Sequence, residues 1–176
     1  MPAAGSSSPW YGGFRLALFA LLAANAACYF YAGTLSKGLD ALAWLILLAL
    51  FALETGFSGN IRAPRAAMRF ARLIAAAGVC AAGIAYIIER NTLDAINTGL
   101  WIAVVVLLEL EVRHPQAVKR YRLWFSAAAG VLYAALAVLV LAWGWRREWF
   151  DAYDALLWLL AFATIEMDVL NAGRAA

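Results

Sequence analysis

The sequence has little charge for its length. Only 14% of the 176 residues are charged, whereas 66% are hydrophobic. A soluble domain is about 25% charged and about 45–50% apolar. This composition therefore excludes a water-soluble globular domain, and the abundance of apolar and aromatic residues excludes a disordered chain. The sequence predicts one integral membrane domain.

Histidine, lysine and cysteine are scarce, which excludes several cofactors. The one histidine, His114, is placed in a basic loop, so no intramembrane imidazole is present to ligate haem, zinc or copper. Lys37 and Lys119 are also placed in loops, which excludes a retinal Schiff base. Cys28 and Cys80 lie in apolar runs at different depths and are interpreted as unpaired packing residues. We expect no cofactor and no bound metal.

Six apolar segments are separated by short polar stretches. Their uncharged cores are residues 16–36, 41–53, 73–88, 95–108, 123–145 and 155–165. We expect helices, since lipid leaves a backbone group no partner outside its own helix. The odd-numbered segments are long enough, or nearly so, to cross a core of about 30 Å, whereas the even-numbered ones meet an acid sooner. Six transmembrane helices are the preferred interpretation, and re-entrant even helices are the alternative.

The basic residues are distributed unequally between the two ends of these segments. Of the 14, all but four fall on one side; the exceptions are Lys37, Arg90, Arg146 and Arg147. Because cytoplasmic loops are enriched in Lys and Arg, both termini are predicted to be cytoplasmic. The abundant alanine and the excess of Arg over Lys favour a bacterial inner (plasma) membrane. The expected partners are the bilayer and its anionic headgroups, and nucleic acid is not expected.

A period of 57 residues runs through the chain. It aligns an indole triplet (Trp44, Trp101 and Trp158), a polar triplet four positions earlier (Asp40, Asn97 and Asp154) and an aromatic triplet (Tyr29, Tyr86 and Trp143). A helical hairpin copied in tandem explains this period. Since each copy crosses the membrane twice, all copies enter with the same orientation, related by an axis along the membrane normal.

The predicted fold is therefore all-α: a polytopic membrane protein of six transmembrane helices, arranged as three hairpin repeats in a pseudo-threefold bundle. A flexible cytoplasmic tail is predicted for residues 1–13. The three hairpins are predicted to cover residues 14–66, 67–123 and 124–176.

Three recurring features have structural interpretations. Asp and Asn are good N-caps, so the polar triplet is interpreted as capping the even helices. The indole triplet is interpreted as part of an interfacial aromatic belt, with a role in lining a cavity as the alternative. Small residues recur every four positions along the odd helices, as in Ala20, Ala24 and Cys28, and are interpreted as stripes where helices pack closely.

Acidic residues near the ends of the even helices form the candidate functional site. Glu54, Glu111 and Asp168 recur at the 57-residue spacing, and Glu109 and Glu166 come two positions before the last two. Acids at helix C-termini are unfavourable by about 0.3–1 kcal/mol. One interpretation pairs them with cytoplasmic basic residues. The other is a cation or proton site, with the three recurring acids in a ring at the cytoplasmic mouth of the bundle.

Basic residues on the same side are candidate contacts for anionic lipid headgroups. They are Arg62, Arg65, Arg69, Arg72, Lys119 and Arg122. The first four are spaced 3, 4 and 3 residues apart, which places them on one helical face. A basic face beside the membrane attracts anionic headgroups, although the same residues also serve to set the topology.

Two functions are compatible with these features. The first is a small channel or transporter for cations or protons that uses the ring of acids. The second is a non-catalytic accessory or scaffold subunit of a larger membrane complex, which suits the short loops. A lipid-modifying enzyme is a weaker alternative, based on charges near the last outer turn, but no nucleophile with a base and no metal motif accompanies them. We therefore do not expect an enzyme.

Overall fold

The chain is helical, apart from short turns, in the residues that this computed structural model describes, 9–54 and 65–175. The helices are α1 Pro9–Ala32, α2 Leu35–Glu54, α3 Arg65–Ile88, α4 Thr92–Arg113, α5 Pro115–Arg120, α6 Arg122–Trp145 and α7 Trp149–Ala175. No strand occurs within those ranges. The predicted all-α class is confirmed. Helix α1 starts at Pro9, inside the predicted tail, and α5 falls where a loop was expected.

Four of the described helices are long and apolar enough to cross a membrane. These candidate spans are Gly12–Ala32, Ala66–Ile88, Thr92–Glu111 and Arg122–Trp145, within α1, α3, α4 and α6. Helices α2 and α7 are not among them, although α2 has 20 residues and α7 has 27. At 1.5 Å per residue, the shorter of these two is about 30 Å long. The four apolar helices indicate that the chain is integrated in a membrane.

The six long helices form a closed ring in chain order. Each packs against the next, with α4 packing against α6, and α7 returns to pack against α1. The short α5 contacts only α4 and α6 among the described elements. Turns at residues 33–34, 89–91 and 146–148 join the two helices of each pair. All three turns lie at one end of the bundle, which we call the turn end, because Ser36 donates a hydrogen bond to Glu89 and Tyr29 contacts Phe150.

The core lies inside this ring. Helix α1 buries Leu18, Leu22, Asn25 and Tyr29, which are spaced as one face of a helix. The corresponding faces of α3 and α6 are buried at positions 57 and 114 residues further along, except that Leu132 is only partly buried. The first helix of each pair (α1, α3 and α6) therefore turns a corresponding face toward the centre, where the indole triplet fills the middle of the core.

The small-residue stripes face outward, which corrects their predicted role. Ala20, Ala24 and Cys28 are all exposed on the outer surface, as is Cys80, and both cysteines are free. The inward face of α1 instead carries Leu22, and its counterparts Val79 in α3 and Leu136 in α6 are also buried.

The second and third turns have the same geometry. Arg90 and Arg147, 57 residues apart, adopt left-handed backbone conformations with φ of 58° and 64°. The residue after each donates a backbone hydrogen bond to the carbonyl five positions earlier, Asn91 to Tyr86 and Glu148 to Trp143, both at 2.9 Å. This 6→1 bond is the Schellman arrangement that ends a helix. Both turns therefore join their two helices through the same backbone geometry.

A polar chamber at the turn end

The polar triplet lies inside the helices, so the predicted N-caps are wrong. Helices α2, α4 and α7 begin five residues before Asp40, Asn97 and Asp154 respectively. The N-cap of α4 is Asn91, whose side chain makes no capping bond. The helices start earlier than the positions of the charged residues predict, because charged residues in their first turns pair with one another across the bundle. Set well inside their helices, the polar triplet faces the interior of the ring.

A chamber opens among these residues at the turn end. Three triplets line it together: the polar, indole and aromatic triplets, joined by Lys37, Asp94 and Asp151, which we call the charged triplet. Ala41, Ala155 and Phe162 complete its wall. The cavity is about 40 Å³. Since one water needs about 10–15 Å³, the chamber has room for a few waters or one small cation.

The charged triplet forms the outermost layer. The Lys37 ammonium lies 3.2 Å from Asp94 Oδ2 and 2.7 Å from Asp151 Oδ1, and 5.8 Å from the ring centroid of Tyr29. Lys37 belongs to the first turn of α2, not to a loop as predicted. One ammonium thereby links the second helix of each pair, α2, α4 and α7, at their starts.

The polar triplet forms the next layer, and two of its members accept hydrogen bonds from side chains of α1 and α3. Asn25 Nδ2 donates to Asp154 Oδ1 at 2.9 Å, and Tyr86 Oη donates to Asp40 Oδ2 at 3.4 Å. Tyr29 Oη reaches outward and donates to Asp151 Oδ1 at 2.8 Å. Neutral donors from α1 and α3 thus orient the carboxylates, but none of these bonds neutralises their charge.

Three polar atoms of the chamber wall are buried and have no hydrogen-bond partner among the described residues. They are Asp40 Oδ1, Asn97 Oδ1 and the indole Nε1 of Trp143. Trp143 itself is only 2% exposed. Buried polar atoms in folded proteins are nearly always paired with protein or water. Two free acceptors and one free donor around a cavity are therefore suited to hold water or a polar ligand.

The indole triplet forms the floor of the chamber. The Trp44 ring centroid lies 6.4 Å from that of Trp101 and 6.5 Å from that of Trp158. Trp101 also packs against Phe162, with centroids 4.4 Å apart. All three indoles are buried, so their assignment to an interfacial belt is wrong and the cavity-lining alternative is correct. Apolar residues, including Leu22, close the core around them.

The chamber has an excess of negative charge. Four aspartates and one lysine line it, giving a formal charge of −3. Unpaired carboxylates are costly inside a low-dielectric bundle, so they acquire protons or counter-cations. No three His, Cys, Asp or Glu side chains in the described ranges are placed to hold a metal ion.

The predicted ring of acids stays a prediction. The side chains of Glu54, Glu166 and Asp168 lie outside the described residues. Glu111 is partly exposed and has interactions with other residues. Glu109 is 56% exposed and accepts a hydrogen bond from Arg113 on the next turn of α4 at 2.6 Å. Glu109 thus pairs with a basic residue on its own helix.

Among the described residues, the predicted headgroup contacts lie at the opposite end from the chamber. Arg62 and the side chain of Arg65 fall outside the described residues. The other four are exposed, near the start of α3, in α5 and at the start of α6: Arg69, Arg72, Lys119 and Arg122. Arg72 also has an interaction within the protein. Contact with anionic lipid stays a prediction for this set.

The charged triplet is the part of the site that sequence reasoning missed, although it follows the same 57-residue spacing. Its members differ in charge sign, so alignment by similarity passes over them.

Comparison of the chain with protein-family models, curated proteins and solved structures found no match.

Proposed function

We propose that this chain is a non-enzymatic membrane protein that binds protons or small monovalent cations in the chamber and moves them across the bilayer. The observation that carries the proposal is the group of four aspartates with a single lysine inside an apolar helical ring. Ionisable side chains inside membrane-spanning bundles are rare and costly, and they mark ion and proton pathways.

Triplication of a two-helix unit is part of the proposal. The indole triplet meets in one cluster, the charged triplet meets around one ammonium, and the six long helices close into a ring. Equivalent positions converge at the centre, as copies around a common axis would. On this arrangement all six long helices cross the membrane, including α2 and α7, and the chamber lies on the axis.

The proposed path leads from the turn end to the opposite end of the bundle. The turn end carries the four basic residues of the minority side, so the chamber faces away from the cytoplasm if both termini are cytoplasmic. Glu54, Glu111 and Asp168 would receive the cation at the cytoplasmic mouth. The indoles and the core around them separate the two acidic regions, so transport requires this apolar layer to open.

Flux measurements on purified protein in liposomes test the proposal. We expect Asp40→Asn combined with Asp154→Asn to abolish proton or methylammonium flux, because these carboxylates lie deepest in the chamber. Glu109→Gln is the matched control, since Glu109 is exposed and pairs with Arg113 on its own helix. Equal flux in the chamber variant, the control and the wild-type protein would exclude a role for the chamber in transport.

The cytoplasmic acids are tested separately. We expect Glu54→Gln, Glu111→Gln and Asp168→Asn together to abolish flux while leaving cation binding in the chamber intact. Loss of binding as well as flux would mean that the two regions act as one site. Unchanged flux would remove the ring of acids from the path and leave the chamber as the proposed site.

An accessory or scaffold subunit is the second candidate function, and the outward small-residue stripes favour it. Ala20, Ala24 and Cys28 present a narrow, smooth helix face to the surroundings of the bundle. Such faces let helices of different chains approach closely in lipid. This candidate predicts a stoichiometric partner in pull-downs from native membranes in mild detergent, which Ala24→Leu would release. Recovery of the chain without any partner would contradict it.

A further inference from the structure

We infer that the outer layer of the chamber is a seat for primary ammonium ions and that the Lys37 side chain occupies it as a tethered, exchangeable cation. This inference rests on the proposed function insofar as the chamber is a cation site. It adds the chemical class of the ligand and a reason for the lysine.

The geometry around the Lys37 ammonium is that of a recognition site. Two carboxylates contact it, from Asp94 at 3.2 Å and Asp151 at 2.7 Å. The Tyr29 ring lies 5.8 Å away, within the range of a cation–π interaction. An edge-on contact with Phe150, at 5.0 Å between centroids, supports that ring. Carboxylates with an aromatic face are the combination that selects an organic ammonium over a strongly hydrated metal ion.

The 57-residue spacing distinguishes the residues that form the seat from Lys37, which occupies it. Asp94 and Asp151 are its counterparts, each placed 57 residues further along. Two copies of the hairpin thus supply the carboxylates, and the first copy supplies a cation where a third carboxylate would otherwise stand. Because the occupant is attached to α2, the seat remains formed when no free cation is present.

Lys37 is placed to leave the seat without unfolding the bundle. Its side chain is 15% exposed, and it stands in the outermost layer of the chamber. A lysine ammonium sits on a flexible four-carbon stem, which lets it move toward water. A tethered group competes at an effective concentration on the order of millimolar or higher. Free ammonium ions therefore bind the wild-type protein weakly, and removal of the tethered ammonium strengthens their binding.

Chemical rescue of a truncated side chain tests this inference. Lys37→Ala removes three methylene groups and the ammonium, which n-propylammonium replaces. We expect n-propylammonium to raise the melting temperature of purified Lys37→Ala by about 2–4 °C when it is well above its Kd. n-Propanol, which has the same shape without the charge, should not, and neither compound should shift the wild-type protein. Lys37→Ala with Asp151→Asn should lose the response.

Binding measurements provide a second readout if Lys37→Ala does not fold. Lys37→Met keeps the apolar stem and lacks the ammonium, and methylammonium is the probe, followed by the fluorescence of the chamber indoles. We expect an apparent Kd at least about tenfold lower than in the wild-type protein, because the competing ammonium is gone. Lys37→Arg keeps the charge and should stay close to the wild-type value.

The outcomes separate this inference from the proposed function. Rescue by propylammonium but not propanol, or tighter methylammonium binding to Lys37→Met, supports the ammonium seat even if no flux is found. Equal responses to propylammonium and propanol would overturn it. If Lys37→Ala does not fold, an unchanged Kd in Lys37→Met would overturn it. In that case Lys37 is a structural ion pair, and flux that still depends on Asp40 and Asp154 leaves the proposed function standing.

Discussion

The Lys37 ammonium lies 2.7 Å from Asp151 Oδ1, a residue 114 positions later in the chain. The two helices involved, α2 and α7, do not pack against each other around the ring, because α1 lies between them. The ion pair therefore spans the interior of the bundle. Together with the contact to Asp94, it joins one helix of each pair at the turn end.

Asp151→Asn should destabilise the bundle by about 1–3 kcal/mol. The substitution removes the charge that pairs with Lys37 and weakens the hydrogen bond from Tyr29. Thermal unfolding in detergent measures the change. Glu109→Gln is the control, since its exposed pair with Arg113 is worth only about 0.3–0.5 kcal/mol. A double-mutant cycle with Lys37→Met should show coupling, and additive effects would contradict a direct interaction.

Trp101→Ala should cost about 3–5 kcal/mol in free energy of unfolding. Trp101 is 4% exposed and contacts both Trp44 and Phe162, so truncation leaves a large void in the centre. Trp124, which is 77% exposed, is the matched control. Trp124→Ala should leave the melting temperature in detergent nearly unchanged. Similar losses for both variants would mean that the indole triplet does not form the core.

Much of the fold follows from the sequence because its signals are long and regular. The uncharged runs predict helices, since lipid permits little else, and the spacing of the tryptophans identifies residues that meet in space. Charged residues do not mark the helix starts. The uncharged cores begin directly after Asp40, Asp94 and Asp154, yet all three of these residues lie inside helices. In the first turns, Lys37 pairs with both Asp94 and Asp151 across the ring, which accommodates charged residues within the helices.

The site was harder to predict than the fold. The inward or outward direction of a residue depends on the rotation of its helix, which a nearly uniform apolar helix does not specify. Ala24 and Leu22 are equally compatible with either face in lipid, yet only Leu22 is buried. The acids that violate helix-end rules lie at the end of the bundle opposite the turns. The acids of the chamber violate no such rule, because Asp94 and Asp151 lie in favourable first turns.

Arg147→Gly should stabilise the protein by about 1 kcal/mol. Arg147 has φ of 64°, a conformation that glycine adopts without the penalty other residues incur. Arg146 is the matched control, since it lies in the same turn with the same charge but a right-handed conformation, φ of −76°. Arg146→Gly should therefore lower the melting temperature in detergent. A loss of stability in both variants would show that the charge of the turn matters more than its backbone.

Gly33→Ala should destabilise the first turn by about 1–3 kcal/mol. A Cβ at residue 33 would lie 2.7 Å from the backbone oxygen of Tyr29, which cannot move without distorting the end of α1. Gly130 lies within α6 with open space around its Cβ position, so Gly130→Ala should stabilise by up to about 1 kcal/mol. Thermal unfolding of the two variants should therefore give shifts of opposite sign. A stable Gly33→Ala would mean that the turn adjusts.

Cysteine labelling of intact cells should place the chamber on the outside of the membrane. In a background lacking Cys28 and Cys80, Thr34→Cys at the first turn should react with a membrane-impermeant maleimide. Gln116→Cys in α5 should react only after the membrane is opened, since basic residues concentrate at its end. Both positions are exposed, so different labelling reports sidedness and not burial. The reverse pattern would place the turn end on the cytoplasmic side of the membrane, and cations would then enter the chamber from the cell interior.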